Sequence, residues 1–229
     1  MVKNNKIALV VFDMAGTTVN ENNIVYKTLQ KAINNAGYSL SLEFVLKHAA
    51  GKEKKQAIID ILEQDNEVNE VLVDTVFNDF KGLLATAYKE MEVSTYPGTT
   101  ELFSLLRRNK VKVALNTGYD LKTARQLVSK LNWSSGVEFD LLVTASDVER
   151  GRPEPEMIFL AMEKLGVTDS KLVVKIGDSI IDVEEGKNAK CGLSIGVTTG
   201  AHTREQIETA SPDFIINSLM ELENILLKA

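Results

Sequence analysis

Ile7-Ala-Leu-Val-Val-Phe12 is apolar at every position and ends at Asp13, which is followed by Met14-Ala15-Gly16-Thr17-Thr18. A strand with one solvated face alternates apolar and polar residues. A strand buried on both faces does not, and parallel sheets bury both faces. Short runs that are mostly apolar on both alternating positions recur at Val111 to Leu115, Leu141 to Thr144, Leu172 to Ile176, Leu193 to Val197 and Phe214 to Ile216. Between them the apolar residues change to helical spacing, as at Leu102, Leu105 and Leu106, or at Ile158, Ala161, Met162 and Leu165. Strand and helix in alternation imply right-handed βαβ units, and so an α/β fold with a doubly wound, Rossmann-like parallel sheet.

The alternation stops between about Asn20 and Thr95. That stretch has no convincing buried strand and reads as consecutive amphipathic helices over Ile24 to Asn35, Leu42 to Ala49, Lys54 to Glu63 and Val71 to Met91. Gly37 and Gly51 punctuate it, and Tyr96-Pro97-Gly98 ends it. The expected organisation is a core of residues 1–19 and 96–229 with an all-helical cap, residues 20–95, inserted after the first strand. Linkers are expected near Val19 to Glu21 and Val93 to Tyr96.

Composition narrows the classes of protein. The chain has 229 residues, a formal charge of -6, 44% hydrophobic and 25% charged residues. That balance is globular and excludes collagen, coiled coil and wholesale disorder. No stretch approaches the roughly 18 apolar residues of a membrane span. Met1 to Lys6 are mostly polar, and no signal-peptide core is expected. The single cysteine, Cys191, fits a reducing compartment, so a cytoplasmic protein is expected. Mild acidity argues against nucleic acid or an anionic membrane as a partner.

Open parallel sheets bind ligands beyond the carboxyl ends of their strands. The chain delivers Asp13 there, then Asn116-Thr117-Gly118-Tyr119, then Gly177-Asp178-Ser179 with Asp182 following; Gly151-Arg152-Pro153 lies between. Alone, an Asp after a strand is usually a helix cap or turn former, and Thr117 or Arg152 has an equally plain reading. Together they place three carboxylates, a hydroxyl and a guanidinium at one sheet edge. Carboxylates so close repel unless a cation sits among them, and an all-oxygen set suits magnesium. Thr117 and Arg152 would take the remaining oxygens of a phosphoryl group. A free Asp titrates near about 3.9, so Asp13 is expected to be ionised and able to attack phosphorus.

These motifs resemble those of the haloacid dehalogenase superfamily of aspartyl-phosphate enzymes, and the resemblance covers nearly the whole chain. It implies Asp13 as nucleophile, with Mg²⁺ held by Asp13, the Ala15 carbonyl and Asp178, and with Asp182 nearby. Thr117, Gly118 and Arg152 would bind the phosphoryl group. Typical phosphatases of the superfamily carry a second Asp two residues after the nucleophile as general acid and base; this chain has Ala15. The phosphonoacetaldehyde hydrolase branch, or phosphonatase, also has alanine there. Its signature is similar to Asp13-Met-Ala-Gly-Thr-Thr18, Thr117-Gly-Tyr119, Gly151-Arg-Pro153 and Glu185-Gly186. In that branch a cap lysine, three residues after a glycine, forms a Schiff base with the substrate aldehyde.

Lys54 stands in that register after Gly51. With Lys54 at zero and about 100° per residue, Ile58 falls near 40°, Ile61 near 340° and Ala57 near 300°, so Lys54 lies on the apolar stripe. Lys55 falls at its edge and Lys52 away from it. Neighbouring cations, a helix N-terminus and burial under the cap would all depress its pKa. Three roles remain open: an imine-forming amine, a substrate contact, or a lysine that snorkels to solvent. The chain departs from the branch at Ala50 and Ala57, where the branch has Met and His.

His202 is expected to be structural, Trp133 and Tyr119 to pack or line the cleft, and Cys191 to be buried. The charges of Glu63 to Glu70 read as a solvated surface. The expected activity is magnesium-dependent hydrolysis of a small phosphorylated or phosphonate substrate through an aspartyl-phosphate. The phosphonoacetaldehyde hydrolase-like route leads, and a phosphomonoesterase of the phosphoglycolate or sugar-phosphate kind is the alternative. A non-catalytic phosphate-ligand binder is the second class. Related caps pair through helices, so a homodimer stays open.

Overall fold

The computed structural model describes residues 7–65 and 69–227. The opening apolar run becomes strand β1 (Leu9–Asp13), buried along its whole length. Val10 and Phe12 face one core together with Phe103, Leu106 and Trp133. Leu9 and Val11 face another with Ala114, Met157 and Ile158. This two-sided burial is the reason the run does not alternate. The Phe103 ring centroid lies 5.0 Å from that of Phe12 and 5.4 Å from that of Trp133, which makes Trp133 a core residue.

The remaining strands are β2 (Val19–Asn20), β3 (Ser94–Thr95), β4 (Lys112–Thr117), β5 (Leu141–Thr144), β6 (Val173–Gly177), β7 (Leu193–Val197) and β8 (Phe214–Ile216). Six of them form one sheet in the order β5-β4-β1-β6-β7-β8, with every pair parallel. Helices α5 (Thr99–Arg108), α6 (Leu121–Lys130), α7 (Glu156–Leu165), α8 (Ile180–Asn188), α9 (Arg204–Glu208) and α10 (Leu222–Leu227) belong to this part of the chain. Helix α5 packs on β4, α7 on β5, β4 and β1, and α8 on β6 and β7.

Residues 24–90 carry α1 (Ile24–Asn35), α2 (Leu42–Ala49), α3 (Lys54–Leu62) and α4 (Glu70–Glu90). Helix α1 lies against α4 and α2, and α3 against α2 and α4. Capping side chains set two starts: the Ser41 side chain accepts from the Phe44 amide and Asn69 from the Leu72 amide. The expected helix to Glu63 instead ends at Leu62 and tightens into a 3-10 turn over Glu63–Asp65. Glu63, Gln64, Asn69 and Glu70 are exposed; positions 66–68 of that charged stretch, like Met1 to Lys6, lie outside the described residues.

The expected linkers hold a feature with no sequence signal. Strands β2 and β3 pair antiparallel, Val19 with Thr95 and Asn20 with Ser94. Two residues are too few to show a period of two. The entry to and exit from the helical insert are thereby tied side by side. Among the described residues no helix is long and apolar enough to cross a membrane.

Candidate active site

Strand β1 lies between β4 and β6, so the strand order reverses at its carboxyl end, and a crevice forms there. Asp13 is the last residue of β1, Thr117 the last of β4, and Asp178 follows the last of β6. One carboxylate oxygen from each of Asp13, Asp178 and Asp182 lies within 4.8 Å of the others, and all three residues are buried. Gly16, at φ 88°, makes the turn after β1, and a Cβ there would run into the Asp178 carboxylate.

Arg152 crosses this cluster, with a side chain wholly shielded from solvent. Its Nη1 donates to Asp13 Oδ1 at 2.7 Å and pairs with Asp182 Oδ1 at 3.0 Å; its Nε donates to Glu185 Oε2 at 3.0 Å. Its Nη2 donates to the Asn116 carbonyl at 2.8 Å and to Asn116 Oδ1 at 2.6 Å. Lys175, a charged residue in the middle of buried β6, supplies a second cation. Its Nζ lies 2.8 Å from Asp182 Oδ1, 2.8 Å from Asn116 Oδ1 and 3.2 Å from Glu185 Oε2. The Asn116 amide closes the network by donating to both oxygens of Glu185.

Asp182 therefore spends Oδ1 on Arg152 and Lys175, while its Oδ2 accepts from the Ser179 hydroxyl at 2.5 Å. Burial opposes its ionisation, but Arg152 and Lys175 outweigh burial and hold it below the ordinary carboxylate value. Asp178 is different. It accepts from the Ala201 amide at 2.6 Å and from the Thr17 hydroxyl at 3.4 Å, and among the described residues no cation pairs with it. Burial, with Asp13 and Asp182 nearby, pushes its pKa well up. Burial also raises Asp13 against the pull of Arg152, so the ordinary value near 3.8 does not apply to it.

Two cations thus face four carboxylates in a buried space. The surplus is negative, and its donors are all oxygens. A divalent hard ion between Asp13 and Asp178 fits that donor set, and it would favour the ionised form of both.

Lys175 holds part of this balance. Its replacement by Met leaves Asp182 and Glu185 buried with one cation fewer, and stability is expected to fall by about 3–5 kcal/mol. Equilibrium urea denaturation of Lys175→Met checks this.

Lys54, the first residue of α3, is 5% exposed. Its Nζ sits 5.1 Å from the ring centroids of both Tyr26 and Tyr119, and it donates to the Lys52 carbonyl. The neighbouring lysines turn outward, Lys52 to Asp60 at 2.5 Å and Lys55 to Asp74 at 2.8 Å. Burial is the largest influence on Lys54 and pushes it down to about 8, with Arg152 adding to the effect and Glu53, Asp13 and Glu21 opposing it. The two flanking lysines named from the sequence are not among the causes; the distant Arg152 is.

Asp13, Thr117 and Asp178 from the sheet edge, with Tyr26, Gly51 and Lys54 from the insert, enclose a cavity of about 10 Å³. The Gly51 amide donates to the Tyr26 hydroxyl at 3.1 Å. Gly118 lies directly under this loop: a Cβ there would meet the Gly51 carbonyl at 2.5 Å and the Lys52 carbonyl at 2.9 Å. The two parts of the chain are thus closed on one another at the site. Thr117 Oγ1 accepts from the Tyr119 amide at 3.2 Å.

Glu21, expected in a linker, is 2% exposed. Its carboxyl accepts from the Val25 amide at 3.2 Å and from the Tyr119 hydroxyl at 3.5 Å. Burial raises its pKa to about 8. The folded state therefore favours the neutral acid. Its contribution to stability is full below the ordinary value of about 4.5 and is lost as pH rises through about 8. Glu21→Gln removes that dependence. The variant is expected to gain on the wild type by on the order of 3–5 kcal/mol between pH 5 and pH 9, as read from paired urea melts.

His202 Nδ1 accepts from the Ile180 amide at 3.0 Å and so caps α8. Cys191 is buried, and burial pushes its thiol up to about 12, which leaves it unreactive.

Known proteins share this chain's pattern. The family described as Haloacid dehalogenase-like hydrolase matches residues 10–197. The bifunctional phosphonoacetaldehyde hydrolase/aminoethylphosphonate transaminase of Clostridioides difficile (strain 630) is 30% identical over 97% of this chain, which spans 40% of that protein. The phosphonoacetaldehyde hydrolase of Latilactobacillus sakei subsp. sakei (strain 23K) is 26% identical, with 97% of this chain and 96% of the relative covered. The solved structure of a phosphonoacetaldehyde hydrolase-like protein from Oleispira antarctica superposes with a TM-score of 0.84 at 22% identity, over 100% of this chain and 96% of that one. The last is a likeness of fold; the family match runs from the first buried strand through β7, and the chain belongs to the haloacid dehalogenase-like hydrolases.

Proposed function

We propose that the chain cleaves the carbon–phosphorus bond of phosphonoacetaldehyde or a related carbonyl-activated phosphonate, with Asp13 as nucleophile and Lys54 as the imine-forming amine. One observation carries this reading: a buried lysine with a depressed pKa shares a closed chamber with Asp13, in a site where the usual acid–base position is Ala15. A phosphate ester needs its departing oxygen protonated. A carbon leaving group attached to a protonated imine does not, because the imine takes up the electron pair.

Lys54 Nζ adds to the aldehyde carbon, and loss of water gives the protonated imine. An Asp13 oxygen attacks phosphorus, and the carbon–phosphorus electron pair moves into the enamine. The enamine carbon takes a proton, and water releases acetaldehyde and restores Lys54. A second water hydrolyses the aspartyl-phosphate to phosphate. Arg152 holds Asp13 Oδ1, which fixes the direction of the other oxygen. Thr117 and the Gly118 backbone border the space for the phosphonate oxygens. Asp13, the Ala15 carbonyl and Asp178 would hold magnesium, with Asp182 beside them. Bound there, it would offset the charge of the phosphonate against the carboxylates.

Entry of substrate requires the helical cap, residues 20–95, to open about the β2–β3 linkers, and reclosure excludes water from the imine. The test is phosphate release from phosphonoacetaldehyde with magnesium present, abolished by EDTA and restored by magnesium. Release from phosphoglycolate but not from phosphonoacetaldehyde would overturn the reading in favour of a phosphomonoesterase.

A further inference from the structure

Beyond Lys54 the small chamber meets a second space. Lys54, Gly118 and Tyr119 border both, and the second cavity has a volume of about 220 Å³. Its far wall comes from the insert. Val25 of α1 and Phe77, Phe80 and Leu84 of α4 make it apolar, and the Phe77 and Phe80 rings stack with centroids 6.3 Å apart. Tyr88, one turn further along α4, also lines it. Tyr88 is 3% exposed, and its hydroxyl finds no hydrogen-bond partner among the described residues. A buried phenol without a partner is destabilising, so its place beside an open space points to a ligand group that satisfies it.

We infer that this cavity is a substrate subsite, and that the substrate extends past its carbonyl carbon with an apolar chain carrying one hydrogen-bonding group for Tyr88. The inference rests on the proposed function for placing the phosphonate at Asp13. The chemical class is a 2-oxoalkyl phosphonate longer than phosphonoacetaldehyde, ending in a hydroxyl or carbonyl. Its carbonyl lies at Lys54, where the two spaces meet, and its chain passes over Tyr119 toward α4. The aldehyde alone has no atoms to reach the apolar α4 wall of a cavity that Glu53, Lys81, Asp120 and Lys122 also line. The same imine step then yields a ketone and phosphate, with no further reactant than water.

Calorimetric binding of methyl-, propyl- and pentylphosphonate to the full chain with magnesium tests this without needing catalysis. Each buried methylene is expected to tighten binding about fourfold. Phe80→Trp, which fills the cavity, is expected to flatten that series. The 5-hydroxypentyl compound is expected to bind more tightly than pentylphosphonate to wild type but not to Tyr88→Phe. Affinity independent of chain length in the wild type would overturn the inference, and that measurement needs no variant to fold. Length-dependent binding with no cleavage of phosphonoacetaldehyde or of its longer 2-oxoalkyl homologues keeps the subsite and removes the carbon–phosphorus chemistry. Cleavage of phosphonoacetaldehyde with a flat binding series does the reverse.

Discussion

Asp13→Asn is expected to lower phosphate release from phosphonoacetaldehyde by on the order of 10⁴-fold or more, because the amide oxygen is no nucleophile toward phosphorus. The fold should not suffer. Asn keeps an acceptor for Arg152 Nη1, now 2.7 Å from Asp13 Oδ1, and it removes one of four carboxylates crowded around two cations. The melting temperature is therefore expected to hold or rise as activity disappears. Thermal melts beside initial rates separate this outcome from simple misfolding. Wild-type turnover in the Asn variant would remove the nucleophile from the account.

Lys54 carries the second large effect. Lys54→Ala is expected to reduce carbon–phosphorus cleavage by on the order of 10³-fold or more. Lys54→Arg should fare no better, although it keeps the charge, since a guanidinium does not lose its proton in proteins and forms no imine. A lysine that merely contacts substrate would be rescued in part by Arg. Hydrolysis of acetyl phosphate, whose leaving group needs no proton, is expected to change little in either variant. In the wild type, kcat/KM for phosphonoacetaldehyde should rise with pH, reach half of its plateau at about 8 and level off above that, since burial depresses the pKa of the amine to about 8. Rates of both substrates across pH, measured on the three proteins, check these outcomes together.

Much of this architecture is written in local patterns. The run from Ile7 to Phe12 had to be buried on both faces, and the two cores on either side of β1 are the consequence. The helical phase at Lys54 singles it out from Lys52 and Lys55, and of the three only Lys54 is buried; the order of the other two is reversed, since Lys52 is half-buried and Lys55, expected at the edge of the stripe, is exposed. Asp13, Thr117, Arg152 and Asp178 come together because Asp13 and Thr117 end strands of one sheet edge, Asp178 follows another, and Arg152 lies in the loop that crosses that edge.

Other parts could not be read that way. Lys175 looks like an ordinary lysine until its strand is known to be central; the clue was a charge inside Val173-Val174-Lys175-Ile176, where a doubly buried strand excludes one without partners. Glu21 passed as linker because its burial depends on Tyr119, 98 residues away. Adjacent lysines, a helix N-terminus and burial under the cap are all expected to depress the pKa of Lys54; burial is its largest cause, but the cation that adds to it is Arg152, remote in the chain, and not Lys52 or Lys55. The β2–β3 ribbon is too short to carry a pattern. In each case the deciding interaction joins residues far apart in the chain.

The most direct test of the central claim is to quench the reaction of phosphonoacetaldehyde with sodium borohydride and map the modified peptide by mass spectrometry. Reduction of the imine left after the carbon–phosphorus bond breaks should place an N-ethyl group on Lys54, dependent on substrate and absent in Lys54→Arg. Steady phosphate release with Lys54 unmodified would contradict the account.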